Sequence, residues 1–306
     1  MTEDRLAIYE AMVRIREFEE LVARARAEGH LPGLLHLSTG GEAVAVGVLG
    51  LLREHDRVYT SHRGHGHFIA AGEDPRALLA ELAGRATGLC RGYGGSMHLM
   101  GRRAVLATGI VGGSLPIALG HALALPDDAV SIAFFGDGAV QTGVFHETLN
   151  LAALWRARVL FVCENNGWAE FTTRDEHTTV AAVAAHAQVY GAPAETIDGG
   201  DVLTVRAAAG RLLRHVRAGG PALLECQITR MRAHYEGDPR RSAAADPHDP
   251  IARLAVTLAD DGEDSATLAA VRRTAAIAAE RALADVLADP PASPNDAAPL
   301  VFSRQP

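Results

Sequence analysis

"VSIAFFGDGAVQTG", residues 130–143, runs an apolar segment into Gly136-Asp137-Gly138 and then toward a helix. A phosphate-binding turn has that outline, because glycines let backbone N–H groups close on an anion at a helix start. Asp137 breaks the pattern. A bare carboxylate about 4 Å from a phosphate charge is repelled by roughly 4 kcal/mol at an effective dielectric near 20. A helix end returns only ~0.3–1 kcal/mol. A divalent cation between the two reverses the sign. Mg²⁺ takes oxygen ligands in octahedral geometry, commonly one or two from protein and the rest from phosphate and water. Asp137 supplies one such oxygen, and "VLFVCENNGWAEF" offers the amide oxygens of Asn165 and Asn166 and the Trp168 backbone carbonyl.

Outward from this stretch, the apolar runs "RVYTS", "VSIAFF", "VLFVCE", "AETID" and "ALLECQI" read as strands, several apolar at nearly every position as strands covered on both faces should be. Helical patterns fall between them, at 42–52, 75–84, 114–125, 143–155, 179–190 and 201–218. Asp74 caps the second of these and Pro75 takes its first position. Residues 4–28 form an amphipathic opening helix stopped by Gly29. The alternation predicts an α/β doubly wound parallel sheet with helical N- and C-terminal extensions. We divide the chain into a domain over 1–250 and an Ala-rich helical extension with an extended tail over 251–306. Ala104 to Leu125 is uncharged and long enough to span a membrane, but four glycines and Pro116 interrupt it, so it reads as a buried Gly-rich turn entering a helix.

Bulk composition narrows the function. The chain has 306 residues, 48% of them apolar and 22% charged, which suits a large folded core. A formal net charge of −8 provides no basic footprint for nucleic acid. Cys90, Cys163 and Cys226 are too few and too scattered for a disulfide framework, and the charged N-terminus has no secretory apolar region. The expected location is the cytoplasm, with small molecules and proteins as partners and no membrane.

"GDG" followed by "ENN", with Asn166 29 positions beyond Asp137, resembles the thiamine pyrophosphate motif of thiamine-dependent enzymes. "FHETLNLAALW" and "FVCENN" extend the resemblance, over roughly residues 5–255, to the alpha subunit of the decarboxylase component of 2-oxo acid dehydrogenase complexes and of acetoin dehydrogenase. The resemblance implies a thiamine diphosphate-binding fold. Asp137, Asn166 and the Trp168 carbonyl would bind magnesium, and the Gly138 and Ala139 amides would meet the diphosphate. In "TSHRGHGHF", His62 and Arg63 would contact the diphosphate; zinc on His62, His65 and His67 is disfavoured, because the intervening arginine opposes a cation. In "ATGIVGGSLPIALG", Gly109 and Val111 would lie against the aminopyrimidine. His36 in "LLHLSTGGEA" and His234 in "RMRAHYEGDP" would be catalytic-site histidines, His234 also near the diphosphate.

By the same resemblance, a beta subunit supplies the catalytic glutamate in an assembly of two of each subunit, and the acyl group passes to a lipoyl-bearing acyltransferase. The chain alone is then expected to be inactive. "SHRGHGH" and "RAHYEGDP" look more like acetoin than pyruvate or branched-chain alpha subunits. Several positions depart from the family pattern, among them Thr108, Val140, Gln141, Thr142, Trp168, Thr229 and Ala233, and "RRSAAADPHDP" lacks a Tyr-Arg pair. They motivate an alternative, a catalytically impaired cofactor-binding subunit. A second alternative, an NAD-binding dehydrogenase, is opposed by Gly143, which arrives too late for G-x-G-x-x-G, and by "ENN" where an acidic residue should follow the second strand.

Overall fold

The computed structural model describes residues 5–238 and 248–297. The chain opens with α1 (Arg5–Ala27), α2 (Glu42–Leu49), β1 (Arg57–Ser61), α3 (His65–Ala70) and α4 (Pro75–Leu82). It continues through β2 (Ala104–Thr108), α5 (Ser114–Ala122), β3 (Ser131–Gly136), a 3-10 turn (Asp137–Gln141) and α6 (Gly143–Leu154). Next come β4 (Val159–Asn165), a small hairpin of β5 (Trp168–Ala169) and β6 (Thr172–Thr173), α7 (Arg174–His177) and α8 (Ala184–Val189). β7 (Ala194–Asp198), α9 (Val202–Arg217), β8 (Ala222–Gln227), α10 (Pro250–Asp260) and α11 (Ser265–Ala288) complete it.

The main sheet is parallel throughout, in the order β2-β1-β3-β4-β8-β7. Its apolar strands are explained by two covered faces. Along β3 and β4, Ile132, Phe134, Leu160 and Val162 enter one core, while Ala133, Phe135, Phe161 and Cys163 enter the other, as the two-residue period of a strand requires. The first core is closed by α1, α2, α9 and α11 among others, the second by α5, α6 and α8. β2 and β3 flank β1 on opposite sides, so the strand order reverses between β1 and β3. In such sheets the crevice beyond the carboxyl ends of those two strands is where ligands bind. His62 and Arg63 follow β1 there, and Asp137 follows β3.

Several predicted elements need correction. Part of the presumed Gly-rich turn is a strand, β2, at the sheet edge. The histidines after β1 are not all in a loop, since His65 and His67 begin α3. The helix expected at 179–190 is confined to α8, with the unexpected single turn α7 before it. The helix expected from 42 to 52 ends at Leu49. The predicted Asp74 cap is present, accepting from Arg76 N–H at 2.9 Å. Most of the "RRSAAADPHDP" loop and the end of the predicted tail, residues 239–247 and 298–306, lie outside the described residues.

Two buried carboxylates organise the segments that approach the crevice. Glu81, fully buried on α4, accepts backbone N–H groups from Cys90 (2.7 Å), Gly92 (2.8 Å), Gly94 (2.7 Å) and Gly95 (3.2 Å). This folds the Gly-rich loop back beneath Met97. Glu19, fully buried on α1, accepts from Ser38 N–H (2.8 Å) and Ser38 Oγ (2.7 Å), and its second oxygen meets His65 Nδ1 at 3.0 Å. His65 Nε2 then meets Ser96 Oγ at 2.9 Å. His65 is thereby a structural strut between α1 and the Gly-rich loop.

Candidate active site

A cavity of about 440 Å³ opens at the strand-order reversal, a size typical of cofactor sites. His36, His62, Arg63 and His234 line one side. Gly109, Val111, Gly138, Ala139, Asn166 and Trp168 line the rest, so all but one of the site residues named from sequence share this one cavity. The exception, Asp137, lies beneath it, 3% exposed, with its Oδ1 facing the Asn166 N–H at 3.4 Å. Glycine is required at 138 by close approach, because an added Cβ would sit 2.8 Å from the Ala169 Cβ.

Residue chemistry leaves two asparagines open as cation ligands, of which the resemblance implies Asn166, and hydrogen bonding distinguishes the two. The Asn165 amide is committed: Nδ2 donates to Glu225 Oε1 at 2.7 Å and Oδ1 accepts from Gly167 N–H at 3.0 Å. Asn166 Oδ1 and Asp137 Oδ2, by contrast, are buried with no hydrogen-bond partner. Burial raises the Asp137 carboxyl above its usual value, the Asn166 N–H opposing it. Two buried oxygens shut off from bulk water are costly unless something electropositive meets them. One anionic and one amide oxygen suit a hard divalent cation of the magnesium type, so the residues present fit the expected metal.

The facing wall is cationic. Arg63 donates to the Leu37 carbonyl at 2.8 Å and to the His234 carbonyl at 3.0 Å, and Arg230, 7% exposed, lines the same cavity. Burial and then Arg230 pull the Arg63 guanidinium down to about 10, which leaves it charged at neutral pH. One buried and one partly buried guanidinium make this an anion site.

Between them the imidazoles of His36, His62 and His234 converge, with ring centroids 4.6 Å (His36–His62), 5.0 Å (His36–His234) and 5.7 Å (His62–His234) apart. Their nearest nitrogens lie within 4.8 Å of one another, close enough for a three-histidine metal set, but the two arginines oppose a cation here. The zinc trio His62, His65 and His67 does not assemble. His65 is committed to Glu19 and Ser96, and His67 stacks on Phe134 at 3.9 Å and meets Thr60 Oγ1 at 2.7 Å.

Burial, reinforced by His62 and Arg63, drives His36 down to about 2, and burial with Arg63 drives His62 to about 3. Both are neutral at physiological pH. Their native values lie below the unfolded one, so the unfolded chain binds protons the native chain refuses, and stability falls as pH drops through about 6.5. The two together are expected to remove about 3 kcal/mol between pH 8 and 5.5 in the cofactor-free chain. Urea unfolding across that range should show it, and the double variant H36Q/H62Q should flatten the slope; an equal slope in both proteins refutes the assignment.

Among the cavity residues not singled out from sequence are Glu164, Arg230 and Met97. Glu164, 8% exposed, sits 3.3 Å from His67 Nε2; Arg230 follows β8; and Met97 is presented by the loop that Glu81 holds. The rule that sites gather at strand carboxyl ends would have found the first two. At the mouth, Ile110 (72% exposed) and Val111 (54%) form an apolar rim. No helix among the described residues is long and apolar enough to cross a membrane.

Known proteins resemble this chain along most of its length. It is 44% identical over 255 residues to the alpha subunit of acetoin:2,6-dichlorophenolindophenol oxidoreductase from Cupriavidus necator, covering 81% of this chain and 77% of that one. Against the Bacillus subtilis subunit of the same name, the identity is 46% over 245 residues, with coverages of 78% and 74%. The pyruvate dehydrogenase E1 component subunit alpha of Rhizobium meliloti is 38% identical over 273 residues, covering 85% and 78%. The family model described as "Dehydrogenase E1 component" matches residues 10–289. On that span and these identities, the chain belongs to the dehydrogenase E1 component family, a family of thiamine pyrophosphate-dependent oxidoreductases.

Proposed function

We propose that the chain is the alpha subunit of a dehydrogenase that cleaves acetoin, working with thiamine pyrophosphate and Mg²⁺ and passing the acyl group to a lipoyl-bearing acyltransferase. The observation that carries this reading is the pair of partnerless buried oxygens, Asp137 Oδ2 and Asn166 Oδ1, beside a cavity walled by Arg63 and Arg230. A cation site against an anion site is what a metal-bridged diphosphate requires.

Asp137 and Asn166 would hold the cation, with the Trp168 carbonyl as a third ligand, and the Gly138 and Ala139 amides with His62 and Arg63 would hold the diphosphate. Gly109 and Val111 would support the ring system. The bound cofactor supplies the electron sink for carbon–carbon cleavage. His36, whose Nδ1 is buried without a partner, would hold a proton at the substrate oxygen, and the neutral state of its ring suits that task. His234, packed edge-on to it, confines the substrate on the other side. The glutamate that activates the cofactor comes from a beta subunit. The exposed rim of Ile110 and Val111 supports a partner closing over the mouth.

The higher identity to the acetoin-named relatives, 44–46% against 38%, favours acetoin over pyruvate. The chain co-expressed with its beta subunit, and assayed with 2,6-dichlorophenolindophenol as acceptor, should show kcat/KM for acetoin at least about 10-fold above that for pyruvate or branched 2-oxo acids. The chain alone should show none. Preference for pyruvate, or full turnover by the isolated chain, refutes the proposal.

A further inference from the structure

A second cavity, of about 10 Å³, adjoins Asp137 and is lined on its other sides by Val140, Val180, Val183, Arg174 and His177 among others. That is about the space one water needs, ~10–15 Å³ by the same kind of measure. His177 ends α7, a single turn fixed by a capping box in which the Glu176 carboxylate accepts from Thr173 N–H (2.9 Å) and Thr173 Oγ1 (2.7 Å). The turn delivers the imidazole to the cavity wall, yet both of its ring nitrogens are buried with no hydrogen-bond partner. Across the same cavity stands Asp137, whose Oδ2 is in the same condition. Arg174 does not relieve either, since its guanidinium donates to the Val180 carbonyl at 2.6 Å and lies 4.0 Å from Glu225.

Orphaned polar groups on both sides of a water-sized space call for a bridging water. A carboxylate oxygen has two lone pairs, so accepting from water leaves one for a metal. We propose that His177 is a positioning residue for the cation site, holding the Asp137 carboxylate through one buried water so that the carboxylate is already aimed when the cation arrives. The proposal rests on the cation reading above and adds to it a residue that never touches metal or cofactor. Outer partners of this kind commonly change metal affinity by about 10–100-fold when removed.

The test uses the full chain co-purified with its partner subunit. Mn²⁺ replaces Mg²⁺ and is titrated by its paramagnetic resonance signal in the presence of thiamine pyrophosphate. His177→Leu should weaken Mn²⁺ binding about 10-fold or more, while His177→Gln, which keeps a donor and an acceptor at similar reach, should stay within about 3-fold of wild type. Melting curves without metal expose any packing defect, which would affect both variants and not split them. Wild-type binding by His177→Leu, or equal weakening in both variants, overturns the proposal. Asp137→Asn is the control: if it too binds Mn²⁺ like wild type, the cation reading has failed and this inference falls with it. In a crystal structure, a water should lie within about 3.2 Å of both side chains. A dry cavity or direct contact between them contradicts the bridge.

Discussion

Asp137→Asn should lower turnover of the assembled enzyme about a thousandfold while leaving the fold intact. The substitution keeps shape and removes one charge. At roughly 4 Å and an effective dielectric near 20, that charge is worth about 4 kcal/mol to each unit of cation charge, or three decades in affinity or rate. Asn166 cannot compensate, because its amide carries no net charge. The same change should not destabilise the cofactor-free protein. Burial lifts the Asp137 carboxyl above its unfolded value, so at neutral pH the native state carries a carboxylate it would rather protonate. An asparagine relieves that penalty, and the melting temperature should hold or rise, as is common where a site sacrifices stability for function. Turnover, Mn²⁺ titration and melting curves on the same preparation check all three. More than a tenth of wild-type turnover in the variant would show that the carboxylate does not hold the cation.

Glu81→Ala should have the largest effect on stability, about 3–5 kcal/mol. One carboxylate with no exposure accepts four amide donors from a stretch of only six residues, Cys90 to Gly95. Hydrogen bonds to a charged acceptor contribute about 1.5–3 kcal/mol each, and release of the loop into water recovers part of the sum. Glu81→Gln should fall between, since its amide group turns a donor toward donors. Hydrogen exchange should show loss of protection over residues 88–97 with the sheet amides unchanged, and cofactor affinity should fall because Met97 leaves the cavity wall. A loss under about 1 kcal/mol would mean the loop is held by other contacts.

The sheet and the approach of Asp137 to Asn166 were the most legible features, because apolar runs and residues at strand ends can be read from short stretches. Ile132 to Phe135 in β3 and Val159 to Cys163 in β4 are apolar at every position, and the ends of these strands carry Asp137 and Asn166 to adjacent tips. β2 escaped because "AVLAT" has weak strand propensity and lies at the sheet edge, with one paired neighbour to stabilise it. α7 had a readable signature, Thr173 with Glu176 three residues later, that its brevity concealed. Residue chemistry alone does not separate Asn165 from Asn166; the resemblance chose Asn166 by its spacing from Asp137, and the Glu225 carboxylate, arriving from β8, gives the physical reason by engaging Asn165. The meeting of His36, His62 and His234 is likewise a product of topology, since their segments lie far apart in the chain. Resemblance supplied what periodicity could not.

The strut from α1 to the Gly-rich loop carries a warning for anyone inferring activity from side-chain geometry. Serine, imidazole and carboxylate stand in the relay order of a hydrolase triad, at 2.9 Å and 3.0 Å. Yet Ser96 is 7% exposed, and neither His65 nor Glu19 is exposed at all. An electrophile has no route to that hydroxyl, and a fluorophosphonate reagent should leave it unlabelled. A template search keyed to atoms alone would find an esterase in what is a joint of the scaffold.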